Sequence, residues 1–190
     1  MAKTALEDFW AFAADFRSMT AWVAKGAVAA PFIDIILGFG PPWPSRTGVP
    51  VLTCLVEILV LIYAFQFWKV MAKYQQEFRL RTSFVLIVVT FLLYIALFAF
   101  FVYEAPEAPY REVKGFLYQP YVHDIMNKDK TYTEQKVLID SGYDPIIIWK
   151  PWTVYLMRIV VLITWILFFT ALSTSISSFV LLQQHSKSQS

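Results

Sequence analysis

Three ionisable residues, Asp34, Glu57 and Arg158, lie within long apolar stretches of the sequence. Charged side chains inside a bilayer are costly, so they usually face protein or water and pair with one another. The depth of each residue can be counted from the end of its apolar segment that meets the outer membrane surface. At a rise of about 1.5 Å per residue, all three lie roughly 9–10 Å below that surface. Because one guanidinium can bind two carboxylates, we predict an intramembrane ionic cluster. The alternative is that Asp34 or Glu57 is the exchanging carboxylate of an ion-coupled transporter.

The last apolar stretch carries a run of hydroxyl side chains in its second half: Thr170, Ser173, Thr174, Ser177 and Ser178. Small hydroxyl residues let membrane helices approach closely and hydrogen-bond to each other, which is their commoner use. They also line water-filled paths in channels. The stripe therefore predicts either helix packing or pore lining.

No motif in the sequence indicates enzymatic chemistry. There is no phosphate-binding glycine loop, nucleophile elbow or HExxH motif. His123 and His185 lie in polar segments, and Cys54 is the only cysteine. A haem between helices would need intramembrane histidines. We therefore expect no enzymatic activity, no metal site and no cofactor.

The composition is that of a membrane protein. Hydrophobic residues make up 58% of the chain and charged residues 16%, against about 25% charged in soluble domains. Lipid must cover part of so much apolar surface. The net charge of +2 argues against direct nucleic acid binding.

These patterns predict an all-α integral membrane protein whose transmembrane domain covers residues 21–182. A membrane helix needs about 20 apolar residues, and four segments approach that length: 21–40, 51–68, 84–103 and 153–182. Pro31 would kink the first of them, or that segment is re-entrant. Residues 1–24 have the spacing of an amphipathic interfacial helix. Residues 183–190 form a polar tail.

Residues 104–152 are the longest polar region, and we expect them to form a small extramembrane cap. Within it, residues 110–126 suggest a short helix, whereas 136–140 and 146–149 suggest short extended pieces around a turn. Tryptophans favour the interface between lipid and water. Those predicted to anchor there are Trp10, Trp22, Trp43, Trp68, Trp149 and Trp152.

The distribution of basic residues predicts the orientation. The link between the second and third segments contains Lys69, Lys73, Arg79 and Arg81 within a few turns of two helix ends. Dense positive charge beside helix ends marks the cytoplasmic side. We therefore expect both termini in the cytoplasm and the cap outside, in a bacterial inner membrane.

Glu57 and Gln66 are nine residues apart and so lie on opposite faces of one helix. Two polar faces favour a homo-oligomer. We expect a non-enzymatic channel-like, membrane-perturbing or sensing subunit that works with a soluble cytoplasmic partner, as in bacterial defence systems with membrane effectors. The alternatives are a small proton- or ion-coupled transporter and a structural subunit of a larger membrane complex.

The orientation can be tested with single cysteines in a Cys54→Ser background. A cysteine at Gln75 should be shielded from an impermeant thiol reagent in intact cells, because it lies in the cytoplasmic link, and a cysteine at Lys128 should be labelled. Permeabilised cells provide the control, since both positions should then react. Labelling of Gln75 but not Lys128 in intact cells would invert the orientation.

Overall fold

A computed structural model of the chain describes residues 31, 38–45, 47–68, 71–105, 111–128 and 132–188. The predicted interfacial helix, with Trp10 and Trp22, lies outside these residues. So do Lys69 and nearly all of the predicted first span, with Asp34.

The described residues are mostly helical. In chain order the elements are α1 (Gly48–Phe67), α2 (Lys73–Phe101), β1 (Val102–Glu104), β2 (Arg111–Val113), α3 (Pro120–Lys128), α4 (Glu134–Asp140), α5 (Pro145–Ile148) and α6 (Pro151–Ser188). Three helices are long and apolar enough to cross a membrane: α1, α2 and the Pro151–Gln183 part of α6. The mostly helical fold is confirmed, and three of the four expected spans have the length and composition of membrane helices, which is consistent with an integral membrane protein. The fourth span and the interfacial helix stay predictions.

The chain divides into two compact units. The helical unit comprises Met1–Gly40, Ser45–Leu93 and Thr164–Ser190, and the cap unit comprises Pro41–Pro44 and Tyr94–Ile163.

Helix boundaries differ from the predicted ones mainly on the polar sides of the spans. Helix α2 begins at Lys73 rather than at residue 84, so most of the basic link is helical. That link contains Gln, Glu, Arg and Leu, which are good helix formers. It contains no Gly or Pro, which would interrupt a helix. Helix α6 likewise continues to Ser188, through most of the predicted polar tail.

Helix α2 buries a narrow polar seam. Gln76, Ser83 and Thr90 are buried and recur every seven residues, which places them on one face. The Ser83 hydroxyl donates to the Leu80 carbonyl at 3.0 Å and the Thr90 hydroxyl to the Leu86 carbonyl at 2.7 Å. Hydroxyls satisfied within their own helix leave small, smooth contact surfaces. The other faces of α2 expose large apolar side chains, which need lipid or another protein surface to cover them.

The cap unit combines a two-stranded sheet with three short helices. Strands β1 and β2 pair antiparallel, with Tyr103 opposite Glu112 and Glu104 opposite Arg111. The core of the unit consists of Val122, Val137, Leu138, Ile148, Trp149 and Val154.

The expected extended pieces at 136–140 and 146–149 are wrong, because these residues lie largely in helices α4 and α5. The side chain of Asp144 accepts a hydrogen bond from the Ile146 amide at 2.9 Å, and Pro145 occupies the first turn of α5. Both features start helices. The segments are too short for periodicity to distinguish helix from strand.

Glu134 at the start of α4 ties the cap unit together. It accepts from the Lys114 ammonium at 2.6 Å and from the Tyr118 hydroxyl at 2.9 Å. Burial, together with the hydrogen bond and charge of Glu134, raises the pKa of the Tyr118 phenol to about 12. Tyr118 therefore remains a hydrogen-bond donor at neutral pH.

A glycine substitution tests the close packing of the cap. A Cβ at Gly115 would meet Thr153 Oγ1 at 2.3 Å and Trp149 Cβ at 2.6 Å. Gly115→Ala should therefore lower the free energy of unfolding by about 1–3 kcal/mol, the usual cost of overpacking, as measured by tryptophan fluorescence on heating. Gly142→Asn is the control, since nothing lies within 4 Å of a Cβ there and Asn tolerates the positive φ of 63°. Equal stability of Gly115→Ala and the unmodified protein would contradict this packing.

Candidate functional site

One face of α1 is buried and carries two polar side chains. Thr53 and Glu57 are both 0% exposed, and their spacing of four residues puts them on the same face. Leu55 and Leu59 lie on exposed faces. Gln66 is exposed as well, so Glu57 and Gln66 lie on different faces, as their spacing predicts.

Glu57 contacts the hydroxyl stripe of α6. The Ser173 hydroxyl donates to Glu57 Oε1 at 3.3 Å. The Ser177 hydroxyl donates to the Ser173 carbonyl at 2.7 Å. Glu57 Oε2 is buried and has no hydrogen-bond partner in the described part of the chain. The carboxylate is thus only half satisfied.

One turn earlier, Thr53 is fully engaged. Its hydroxyl donates to the Val49 carbonyl at 2.8 Å and accepts from the Trp165 indole nitrogen at 3.0 Å. The indole N–H of Trp165 thereby gains a buried acceptor. This hydrogen bond stabilises the helix contact in addition to the packing of the indole ring. This contact aligns α1 and α6 beside the carboxylate.

The contacts run in the same order along both helices. Thr53 meets Trp165 and Glu57 meets Ser173. Farther along, an apolar cluster joins residues of α1 and its end to α6: Ala64, Phe65, Trp68, Val180 and Leu181. Helices α1 and α6 are therefore parallel, as expected when one further crossing separates two spans.

The buried positions in the stripe favour its packing interpretation. Ser173, Ser177 and Ser178 are buried, whereas Thr170 and Thr174 are half-buried. The hydroxyls of Ser173 and Ser177 donate to acceptors, and Ser178 Oγ has no partner among the described residues. The spacing of the hydroxyl residues predicts the stripe, whereas the contact between Ser173 and Glu57 joins two distant segments and is not predicted by it.

Arg158 has a carboxylate partner that the sequence did not suggest. Its guanidinium donates to Glu112 on β2 at 2.7 Å, and the two side chains are 12% and 25% exposed. The expected partners were Glu57 and Asp34. Glu57 instead binds Ser173, and Asp34 lies outside the described residues, so a cluster of all three stays a prediction. Only strand pairing in the cap could have pointed to Glu112.

The predicted interfacial tryptophans have different surroundings. Trp152 is 54% exposed, which suits an anchor, and Trp43 is half-buried. Trp68 and Trp149 are buried among protein side chains, so their anchoring role stays a prediction. In the basic link, Arg79 lies over the Trp68 ring at 4.5 Å, whereas Lys73 and Arg81 are exposed.

The chemistry available at Glu57 is the uptake of an ion. A buried carboxylate whose second oxygen has no partner in the described part of the chain can take a proton or contribute to a cation site. Among the described residues, no three His, Cys, Asp or Glu side chains come together as metal ligands. Comparison of the chain with protein-family models, curated proteins and solved structures finds no match.

The contact between Arg158 and Glu112 can be measured by a double-mutant cycle with Arg158→Met and Glu112→Gln. We expect a coupling free energy of about 1–3 kcal/mol, since a hydrogen bond between charged, mostly buried groups is strong. Arg158→Met alone should be more destabilising than the double change, because it leaves a carboxylate unpaired. Thermal unfolding in detergent gives both values.

The control cycle uses Arg111 and Glu104, an ion pair whose side chains are 30% and 70% exposed. Its coupling should stay below about 1 kcal/mol. Equal coupling in the two cycles would show that burial adds nothing to the pair formed by Arg158.

Proposed function

We propose that this chain is a non-enzymatic integral membrane protein that moves a proton or a small monovalent cation across the membrane, with Glu57 as the ion-binding carboxylate. One observation carries the proposal. Glu57 is 0% exposed, and its Oε2 has no partner among the described residues. Intramembrane acids of this kind commonly mark ion or proton pathways.

A purely structural role would be better served by other residues. A buried carboxylate that holds helices together normally has a cationic partner, because desolvation of the charge is otherwise uncompensated. The hydrogen-bond partner of Glu57 is a neutral hydroxyl at 3.3 Å. The nearby contact of Thr53 with Trp165 already fastens α1 to α6 without any charge. Glu57 is thus available to exchange an ion.

A second candidate is a homo-oligomeric, channel-like or sensing subunit with a soluble cytoplasmic partner, such as a membrane effector of a bacterial defence system. The exposed apolar faces of α2 support this candidate, since only 6% of the most apolar 18-residue stretch of α2 is buried. Neighbouring copies packed there would form the oligomer, and Thr170 and Thr174 would be its pore-lining candidates. A structural subunit of a larger complex uses the same surface. The mass of the purified protein in detergent separates a monomer from these assemblies.

Flux through reconstituted vesicles tests the leading proposal. A potassium gradient with valinomycin sets a membrane potential, and entrapped dyes report the entry of H⁺ or Na⁺; the entry of K⁺ is measured in vesicles without valinomycin. The unmodified protein should raise the flux of at least one of these ions above that of empty vesicles. Glu57→Gln should reduce it at least about tenfold, since a loss of about 1.4 kcal/mol in ion binding is a factor of ten.

Glu77→Gln is the matched control, because it makes the same chemical change in the polar first turns of α2. It should leave the flux unchanged. Both variants are first checked for a single elution peak and unchanged helicity. Wild-type flux in Glu57→Gln, or no flux above that of empty vesicles from the unmodified protein, would refute the proposal.

A further inference from the structure

We infer that the ion taken up at the proposed Glu57 site is a proton, not Na⁺ or K⁺. This inference rests on the proposed function and concerns the same carboxylate. The hydrogen bonds of the carboxylate and of its neighbours in the described residues distinguish the two kinds of ion.

A metal cation that leaves water needs several oxygen ligands to replace its hydration shell. The described hydrogen bonds bring one side-chain oxygen to the carboxylate, Ser173 Oγ at 3.3 Å from Oε1. That hydroxyl directs its proton at the carboxylate. In the described hydrogen bonds, the side chain that reaches the carboxylate is therefore a donor, and it leaves Oε2 without a partner among the described residues.

The neighbouring hydroxyls are engaged elsewhere. Ser177 donates to the Ser173 carbonyl, and Thr53 donates to the Val49 carbonyl and accepts from Trp165. Ser178 Oγ is buried without a partner among the described residues. It follows Ser173 by five residues, about 140° around the helix, so it lies on a different face from the serine that binds Glu57.

A proton requires a single oxygen, and Oε2 is available. Its binding forms an O–H bond at Oε2 and neutralises the carboxylate. Oε1 can still accept from Ser173, so the contact between the helices does not have to break. Neutralisation also removes the desolvation cost of a buried charge that has no cationic partner among the described residues. Uptake and release thus need no rearrangement of α1 against α6.

Few titratable groups surround the carboxyl. On its own helix, Cys54 lies one turn earlier and interacts with Glu57 electrostatically. The facing stretch of α6, residues 164–183, contains no Asp, Glu, Lys, Arg, His or Cys, and residues 82–101 of α2 contain none either. In the described part of the helical unit, a pH response of this site is therefore assigned to Glu57.

Dicyclohexylcarbodiimide provides the test, because this apolar reagent modifies protonated carboxyls in membranes. The carboxyl proton moves to one carbodiimide nitrogen and the carboxylate oxygen bonds to the central carbon. The acyl group then migrates to a nitrogen, giving a stable N-acylurea with no atom lost. The full-length protein carries Cys54→Ser, since thiols also react.

We expect an adduct on the peptide that contains Glu57, detected by mass spectrometry, and less of it as the pH rises. Replacing choline chloride with NaCl or KCl at constant pH and ionic strength should leave the labelling unchanged. The peptide with Glu77 serves as the internal control and should stay largely unlabelled, and Glu57→Gln should remove the adduct at residue 57.

Protection by Na⁺ or K⁺ at constant pH would overturn the proton assignment while leaving the proposed ion transport intact. An unlabelled Glu57 at every pH, in protein whose vesicles show flux that depends on Glu57, would overturn it in the same way. Labelling of Glu57 that falls with rising pH, in protein that gives no flux in vesicles, would instead support proton binding and refute the transport proposal.

Discussion

The packing of α1 against α6 depends on how buried polar groups are satisfied where no water is present. The Thr53 hydroxyl is satisfied both as a donor and as an acceptor, because it donates to the Val49 carbonyl and accepts from the Trp165 indole. The Glu57 carboxylate has a hydrogen-bond donor on one oxygen only: a serine hydroxyl donates to Oε1, and Oε2 has no partner among the described residues. An unsatisfied polar atom in an apolar medium costs free energy. Among the described residues of the helical unit, the Glu57 carboxylate bears this cost at Oε2, and that is the physical basis of the proposed ion site.

The same requirement accounts for the polar seam of α2 and the serines of α6. Hydroxyls that donate to a carbonyl one turn earlier, as at Thr90 and Ser177, need no partner on the neighbouring helix. They remain small at the contact, so backbones can approach closely. The hydroxyl stripe of α6 thus serves two purposes, since Ser177 keeps the contact small and Ser173 supplies the hydrogen bond to Glu57.

In the cap unit the requirement is met by pairing opposite charges. Strand pairing places Glu112 where it can accept from Arg158, and Glu134 accepts from both Lys114 and Tyr118. These ion pairs contrast with Glu57, whose partner is a neutral hydroxyl. The contrast separates groups whose charges stabilise the fold from the one carboxylate that we propose to exchange an ion.

The sequence alone predicted an all-α chain with four spans, of which the structure describes three as long apolar helices, and it placed Glu57 and Gln66 on different faces of one helix. These features could be predicted because hydrophobicity and helical spacing act within one segment, whereas the α6 stripe remained open between helix packing and pore lining. The sequence placed helix ends less well, since the polar residues after Lys73 and before Ser188 can be either helix or loop. It could not identify Ser173, Trp165 or Glu112 as partners. Those contacts join residues that are distant in sequence, and only the packing of α1 on α6 and the pairing of β1 with β2 bring them together.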